Sequence, residues 1–322
     1  MASLKEHIKT FVKLNVFALG ILHISNRFIS SFSRSGNTLS SAAEKFYRWK
    51  YGDIFYRKAG EGSPIILLHD LNPSFSSHVW NEVIDDLSKN HTVFAIDLPG
   101  CGKSAKNKSE YTNYLFVLFL RDFIKEVVKR RSEILADGYS SSFALMASLA
   151  DESIIGNIYA VNPVSVQELS TIAGPKEKLA RTLVSSPIIC TTIYNMEMSR
   201  SNIDLSFTEK YLYNPFRSRD RYVESCYEAA HYGNGSGKYL LASLRGKYTT
   251  VDIRKALEIK SDSLTILYGT KNENKEAILK SYRKVNQNIK GIGIEQTKYL
   301  PQLERPEYFM EAFETAEKSA NI

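Results

Sequence analysis

The chain has 322 residues, 43% hydrophobic and 24% charged, with a formal net charge of +7 at neutral pH. That length and balance allow a full buried core and exclude a low-complexity or disordered protein. The basic residues are spread out, and the densest run, Lys125 to Arg131, reads as the solvated end of a helix, so no nucleic-acid module is expected.

Three cysteines, Cys101, Cys190 and Cys226, form no spaced pair, which predicts reduced thiols and a cytoplasmic protein. The six histidines have no i,i+4 pair and no Cys/His cluster, so neither a metal nor a cofactor is expected.

In chain order, Leu4, Ile8, Phe11, Val12, Leu19 and Leu22 recur at roughly helical spacing, with Lys5, Lys9 and Lys13 on another face. Two readings stand for residues 1–28: a helix packed on the protein itself or on a second subunit, and a basic amphipathic helix in peripheral contact with an anionic membrane. The apolar run Val16 to Leu22 is too short to cross a bilayer. Ser30 to Ala43 reads as a Ser-rich linker, which closes an N-terminal unit at residue 45.

Phe46 to Ala59 predicts an early hairpin around Tyr51-Gly52-Asp53. Pro64 to Leu68 is a continuous apolar run, the mark of a strand buried on both faces, and it ends in His69-Asp70-Leu71. A second such strand, Thr92 to Ile96, leads into Asp97-Leu98-Pro99-Gly100-Cys101-Gly102-Lys103-Ser104. A long helix from about Tyr111 to Arg130 delivers the chain to Ile134–Ala136, then Gly138-Tyr139-Ser140-Ser141-Ser142 and an Ala/Leu/Met segment of helical habit. That is strand, sharp turn, helix, with a serine on the turn. Strands alternating with helices predict an α/β protein with a mostly parallel sheet.

This order of motifs resembles the α/β-hydrolase family, in its lipase, esterase, dehalogenase and epoxide-hydrolase branch. Asp97 to Ser104 matches the family's D-x-x-G-x-G-x-S turn, Gly138 to Ser142 is similar to its G-x-S-x-G elbow, and Leu300-Pro301-Gln302-Leu303-Glu304-Arg305-Pro306-Glu307 is similar to its L-P-x-x-E-x-P-E segment. The resemblance implies a core of residues 46–163 and 252–322, with a helical cap inserted at 164–251. It implies Ser140 at the nucleophile position, with Asp70, Leu71 and Ser141 around the oxyanion site. It also implies an acid at position 272 and a histidine at 299.

Those last two places hold Asn272 and Tyr299, and no histidine follows His231. A serine hydroxyl needs a neighbouring base, and neutral tyrosine does not supply one at pH 7. Asp70 stands where the family usually has glycine, and an ionised carboxylate there would repel an oxyanion. Three functions compete. The favoured one is a degenerate hydrolase that binds a small apolar or acyl ligand beneath its Tyr- and Arg-rich cap. The second is an active esterase-like serine hydrolase using Ser140 with a substituted base, His231 or His69, and Glu273 as acid. In the third, Asp70 acts as acid or base in non-hydrolytic chemistry.

Overall fold

A computed structural model describes residues 2–32, 37–39, 44–179 and 189–320. Eight strands form one sheet in the order β1-β2-β4-β3-β5-β6-β7-β8. The early hairpin is β1 (Glu44–Trp49) and β2 (Gly52–Ala59), antiparallel to each other, and β2 runs antiparallel to β4 (His91–Ile96). From there β4, β3 (Ser63–Leu68), β5 (Ser132–Asp137), β6 (Ile155–Val161), β7 (Leu264–Gly269) and β8 (Lys290–Ile294) are all parallel. The apolar runs that predicted two-sided burial lie at the centre: Ile65 to Leu68 are fully buried. Side chains alternate across the sheet, so Ile66 and Leu68 enter one core cluster and Ile65 and Leu67 the other, one on each face.

The Asp97–Ser104 turn is a self-supporting staple. Asp97 accepts from the Ser77 N–H at 2.7 Å and the Lys103 N–H at 2.8 Å, and Ser104 returns its hydroxyl to the Asp97 carbonyl. Gly102, at φ 47°, sits so close to the Asp97 carboxylate that any Cβ would collide with it.

The predicted long helix is α-helical over Asn113–Phe123 and closes in a π turn at Ile124–Val128. Between β6 and β7 the described residues are helices and turns, including Ile189–Glu197, Arg200–Ser206, Asp220–His231 and Lys238–Arg245. They pack over the end of the sheet from which β3 and β5 emerge, since Tyr211 of this segment touches Asn72 and the backbone of Tyr299. The N-terminal helix α1 (Ala2–Phe32) runs ten residues beyond Leu22 and takes in the start of the expected Ser-rich linker; residues 33–36 and 40–43 of that linker lie outside the described residues. It docks on the helix Ile189–Glu197 through Asn26, which is bonded to Thr192 and Asn195.

Candidate functional site

β3 and β5 are parallel neighbours, so the residues that follow them, His69 to Leu71 and Gly138 to Tyr139, emerge side by side. Gly138 carries the left-handed backbone of the second turn, at φ 55°. Next to it the Tyr139 N–H donates to Asp70 Oδ1 at 2.7 Å, and the Leu71 N–H donates to the same oxygen at 2.8 Å. The Tyr299 hydroxyl donates to Asp70 Oδ2. Two backbone N–H groups, one after the turn apex and one from the loop after β3, meeting at one oxygen have the layout of an oxyanion hole. The oxygen they hold is the chain's own carboxylate. A Cβ placed on Gly138 would run into that carboxyl group, so Asp70 fills the space a side chain at the apex would need.

Ser140 lies two residues past the apex, as the first residue of the helix Ser140–Ala150. It is fully buried, and its hydroxyl donates to the His69 carbonyl. The expectation of a raised, exposed serine is corrected here for a geometric reason. β5 continues to Asp137, so the sharp turn falls on the glycine and the serine is carried into the helix. Ser141 is displaced from the oxyanion region by the same shift: its N–H faces the Gly138 carbonyl at 3.3 Å and its hydroxyl the Ala136 carbonyl at 3.1 Å.

Neither histidine weighed as a base is placed to act as one. His69 holds the Asp70 carbonyl through Nδ1 at 2.7 Å and accepts the Leu98 N–H through Nε2 at 3.0 Å, and burial pulls its pKa down to about 4. Both ring nitrogens are used in neutral form. His231 ends the helix Asp220–His231, its Nδ1 on the Tyr227 carbonyl at 2.8 Å and its ring among Tyr194 and Tyr227. Its Nε2 is buried with no hydrogen-bond partner among the described residues, and burial lowers its pKa. Glu273 is exposed and pairs with Lys298 at 3.2 Å.

Asn272 and Tyr299 are brought together by a residue that sequence reading missed. Asn162, at φ 40° just after β6, accepts from Asn272 Nδ2 at 2.9 Å and donates to the carbonyls of Lys298 and Tyr299 at 3.1 and 2.9 Å. One side chain thereby ties the loop after β7 to the loop that carries Tyr299. An Asn just after an apolar strand run, a residue type that tolerates left-handed backbone, was the available signal.

Asp137, also missed, is fully buried beneath the site. Gln302 donates to its Oδ2 at 3.2 Å, while Asp137 Oδ1 and Gln302 Oε1 have no partner among the described residues. A protonated Asp137 answers both at once, because its O–H gives Gln302 Oε1 a donor and completes a cyclic acid–amide pair. The electrostatics point the same way: burial and then the charge of Asp70 push the Asp137 carboxyl well above the carboxylate range. Burial raises Asp70 too, but the Tyr299 hydroxyl, two N–H groups and Lys210 pull it back. The net shift of Asp70 is still upward, but with three donors on its two oxygens Asp70 is the better placed of the pair to hold the charge and Asp137 the proton. Tyr299 is held neutral, its pKa raised by burial and by both carboxyls, so it serves only as a donor.

Asp70, Tyr139, Asn162, Asn272 and Tyr299 line a cavity of about 790 Å³. A second cavity of about 390 Å³ adjoins it, sharing Leu71, Asn72, Lys210 and Leu244; Met198, Ile203, Leu205 and Leu241 line it together with the polar Glu197, Asn202 and Ser206. No metal-ligating group lies at this site among the described residues. His91, Glu133 and Glu317 come within 4.8 Å of one another at the opposite end of the strands, where His91 Nε2 already lies 3.3 Å from the Glu317 carboxylate.

A family model described as alpha/beta hydrolase fold matches residues 63–134. The crystal structure of a serine hydrolase of carbazole degradation superposes with a TM-score of 0.68 at 19% identity, covering 85% of this chain and 98% of that one. This chain has the α/β-hydrolase fold. The same α/β-hydrolase fold relates it to an epoxide hydrolase solved without ligand (TM-score 0.67, 15% identity, 85% and 97% of the two chains). A membrane phospholipase A, described as a bacterial virulence factor, covers 98% of this chain and 99% of its own at a TM-score of 0.66 and 15% identity. Among characterised sequences, 2-hydroxy-6-oxo-6-(2'-aminophenyl)hexa-2,4-dienoic acid hydrolase of Metapseudomonas resinovorans is 37% identical over 87 residues, 27% of this chain and 30% of that protein. The match spans under a third of that relative's length.

Proposed function

We propose that this α/β-hydrolase-fold protein does not hydrolyse esters and instead binds an amphiphilic small molecule, its acyl or other apolar part in the limb walled by Met198, Ile203 and Leu241. The observation that carries this reading is the Asp70 carboxylate in the oxyanion-hole geometry, held by the Tyr139 and Leu71 N–H groups and the Tyr299 hydroxyl. Hydrogen bonds to a charged group contribute about 1.5–3 kcal/mol each, so a neutral substrate carbonyl cannot compete for those donors. The apex residue is Gly138, which has no nucleophile, and neutral Tyr299 cannot take a proton from one. The two adjoining cavities support the binding half: one is polar around Asp70 and Asn272, the other sets Met198, Ile203, Leu205 and Leu241 beside Glu197, Asn202 and Ser206, and Lys210 lines both, a mixed lining that suits a ligand with an apolar and a polar part.

A fluorophosphonate probe and p-nitrophenyl butyrate test the first half. The expected result is no labelling and no turnover; turnover lost in either Ser140→Ala or Asp70→Asn would overturn it. Titration with cis-parinaric acid tests the second. Saturable fluorescence enhancement that is abolished in Leu241→Trp, which fills the second cavity, is expected; a Leu241→Trp variant that binds as tightly as the parent would remove that cavity from the reading.

A further inference from the structure

Helix α1 has three differently composed sides. One side, with Leu19, Leu22, Asn26 and Ile29, is the less exposed one that faces the protein. A second carries Lys9, Lys13, His23 and Arg27, all exposed. The third is a continuous stripe of Leu14, Phe17, Ile21, Ile24 and Phe28, which are 50% to 70% exposed. Steps of three and four residues keep that stripe on one face of a 3.6-residue helix. Single exposed apolar residues are ordinary, but five large ones in a row form a patch that water does not explain. The helix Ile189–Glu197, on which α1 docks, also has exposed apolar side chains, Ile193 and Met196.

We propose that the Leu14-to-Phe28 stripe of α1 seats the protein on an anionic lipid bilayer, with the helix lying in the interface and not through it. The charge beside the stripe selects this occupant. Lys9, Lys13 and Arg27 line one edge of it, on a chain of net charge +7, which attracts anionic headgroups. An antiparallel pairing with a second copy would bring like charges together along that edge. The stripe also spans about two heptads, below the three to four that sustain a coiled coil. No helix among the described residues is long and apolar enough to cross a membrane, so an in-plane seat is the geometry left for it. Asn26, bonded to Thr192 and Asn195, fixes the end of α1 against the rest of the molecule and so sets how the protein stands on the surface.

Flotation of the full chain with phosphatidylcholine vesicles, with and without phosphatidylglycerol, tests it. The parent is expected to float with the anionic vesicles and to be released by salt. Both Phe17→Ser/Ile21→Ser/Ile24→Ser and Lys9→Glu/Lys13→Glu are expected to lower the bound fraction roughly tenfold or more. Their melting temperatures should match the parent, since the altered side chains are exposed. A parent that stays at the bottom of the gradient with both vesicles would overturn the proposal, as would a triple-serine variant that floats like the parent. Light scattering that shows a parent dimer turned monomeric by the serine substitutions, with flotation unchanged, would assign the stripe to a second copy instead.

Discussion

The Asp97–Ser104 turn and the Asp70–Gly138–Tyr299 site both adjoin the His69–Leu71 loop but differ in how much of the family pattern they retain. The turn has every defining residue, and each has a structural duty: Asp97 holds two backbone N–H groups and Ser104 closes the loop. At the site, the turn apex and the two loops beside it hold Gly138, Asn272 and Tyr299, and a carboxylate lies in the oxyanion-hole geometry. The lesson is that a motif whose residues support backbone reports the fold, whereas activity is reported only by side chains with no structural duty. Reading catalysis from the first kind of motif would mislead.

That contrast can be broken by mutation. The largest effect is expected at the turn: Asp97→Ala leaves the Ser77 and Lys103 N–H groups without their acceptor and should cost about 3–4 kcal/mol, read by urea unfolding. Next is Gly138→Ser, which sets a Cβ against the Asp70 carboxyl on left-handed backbone and should cost about 2–3 kcal/mol. Adding Asp70→Gly should recover at least about 1 kcal/mol of that loss, a coupling measured by the double-mutant cycle. Additive effects would mean the two residues do not compete for one space.

A smaller effect, with a pH signature, is expected at Asp137. Its folded pKa is raised, so the stability it contributes is fully present below the ordinary carboxyl pKa of about 4 and is lost as pH rises toward the folded value. Asn is the neutral isostere and can complete the same pairing with Gln302. Asp137→Asn should therefore stabilise the protein by about 1–2 kcal/mol at neutral pH and flatten the fall in stability from mildly acid to mildly alkaline solution. A loss of stability equal at every pH would show Asp137 to be ionised. The smallest effect is expected for Ser140→Ala, about 1 kcal/mol, because it removes only a buried bond to the His69 carbonyl.

Much of the fold was legible because burial writes itself into composition: Pro64–Leu68 and Thr92–Ile96 read as central strands and are β3 and β4. The site was legible only in part. Asn272 and Tyr299 were found by position in a known motif order, and both line the cavity. Ser140 was misplaced because the letters Gly-Tyr-Ser matched a pattern while the strand end did not. An apolar count ends β5 at Ala136, whereas buried, neutral Asp137 extends it and moves the apex to Gly138. A carboxyl that behaves as an uncharged group cannot be recognised before its surroundings are known.

Asn162 has a consequence of another kind. Because its amide fastens the segments bearing positions 272 and 299 by their backbones and by Asn272 alone, those segments keep their places without an acid–imidazole pair between them. A clamp of this sort leaves the side chains above it open to exchange without loss of the loops that carry them, so the rim of the cavity can change its chemistry while its shape endures.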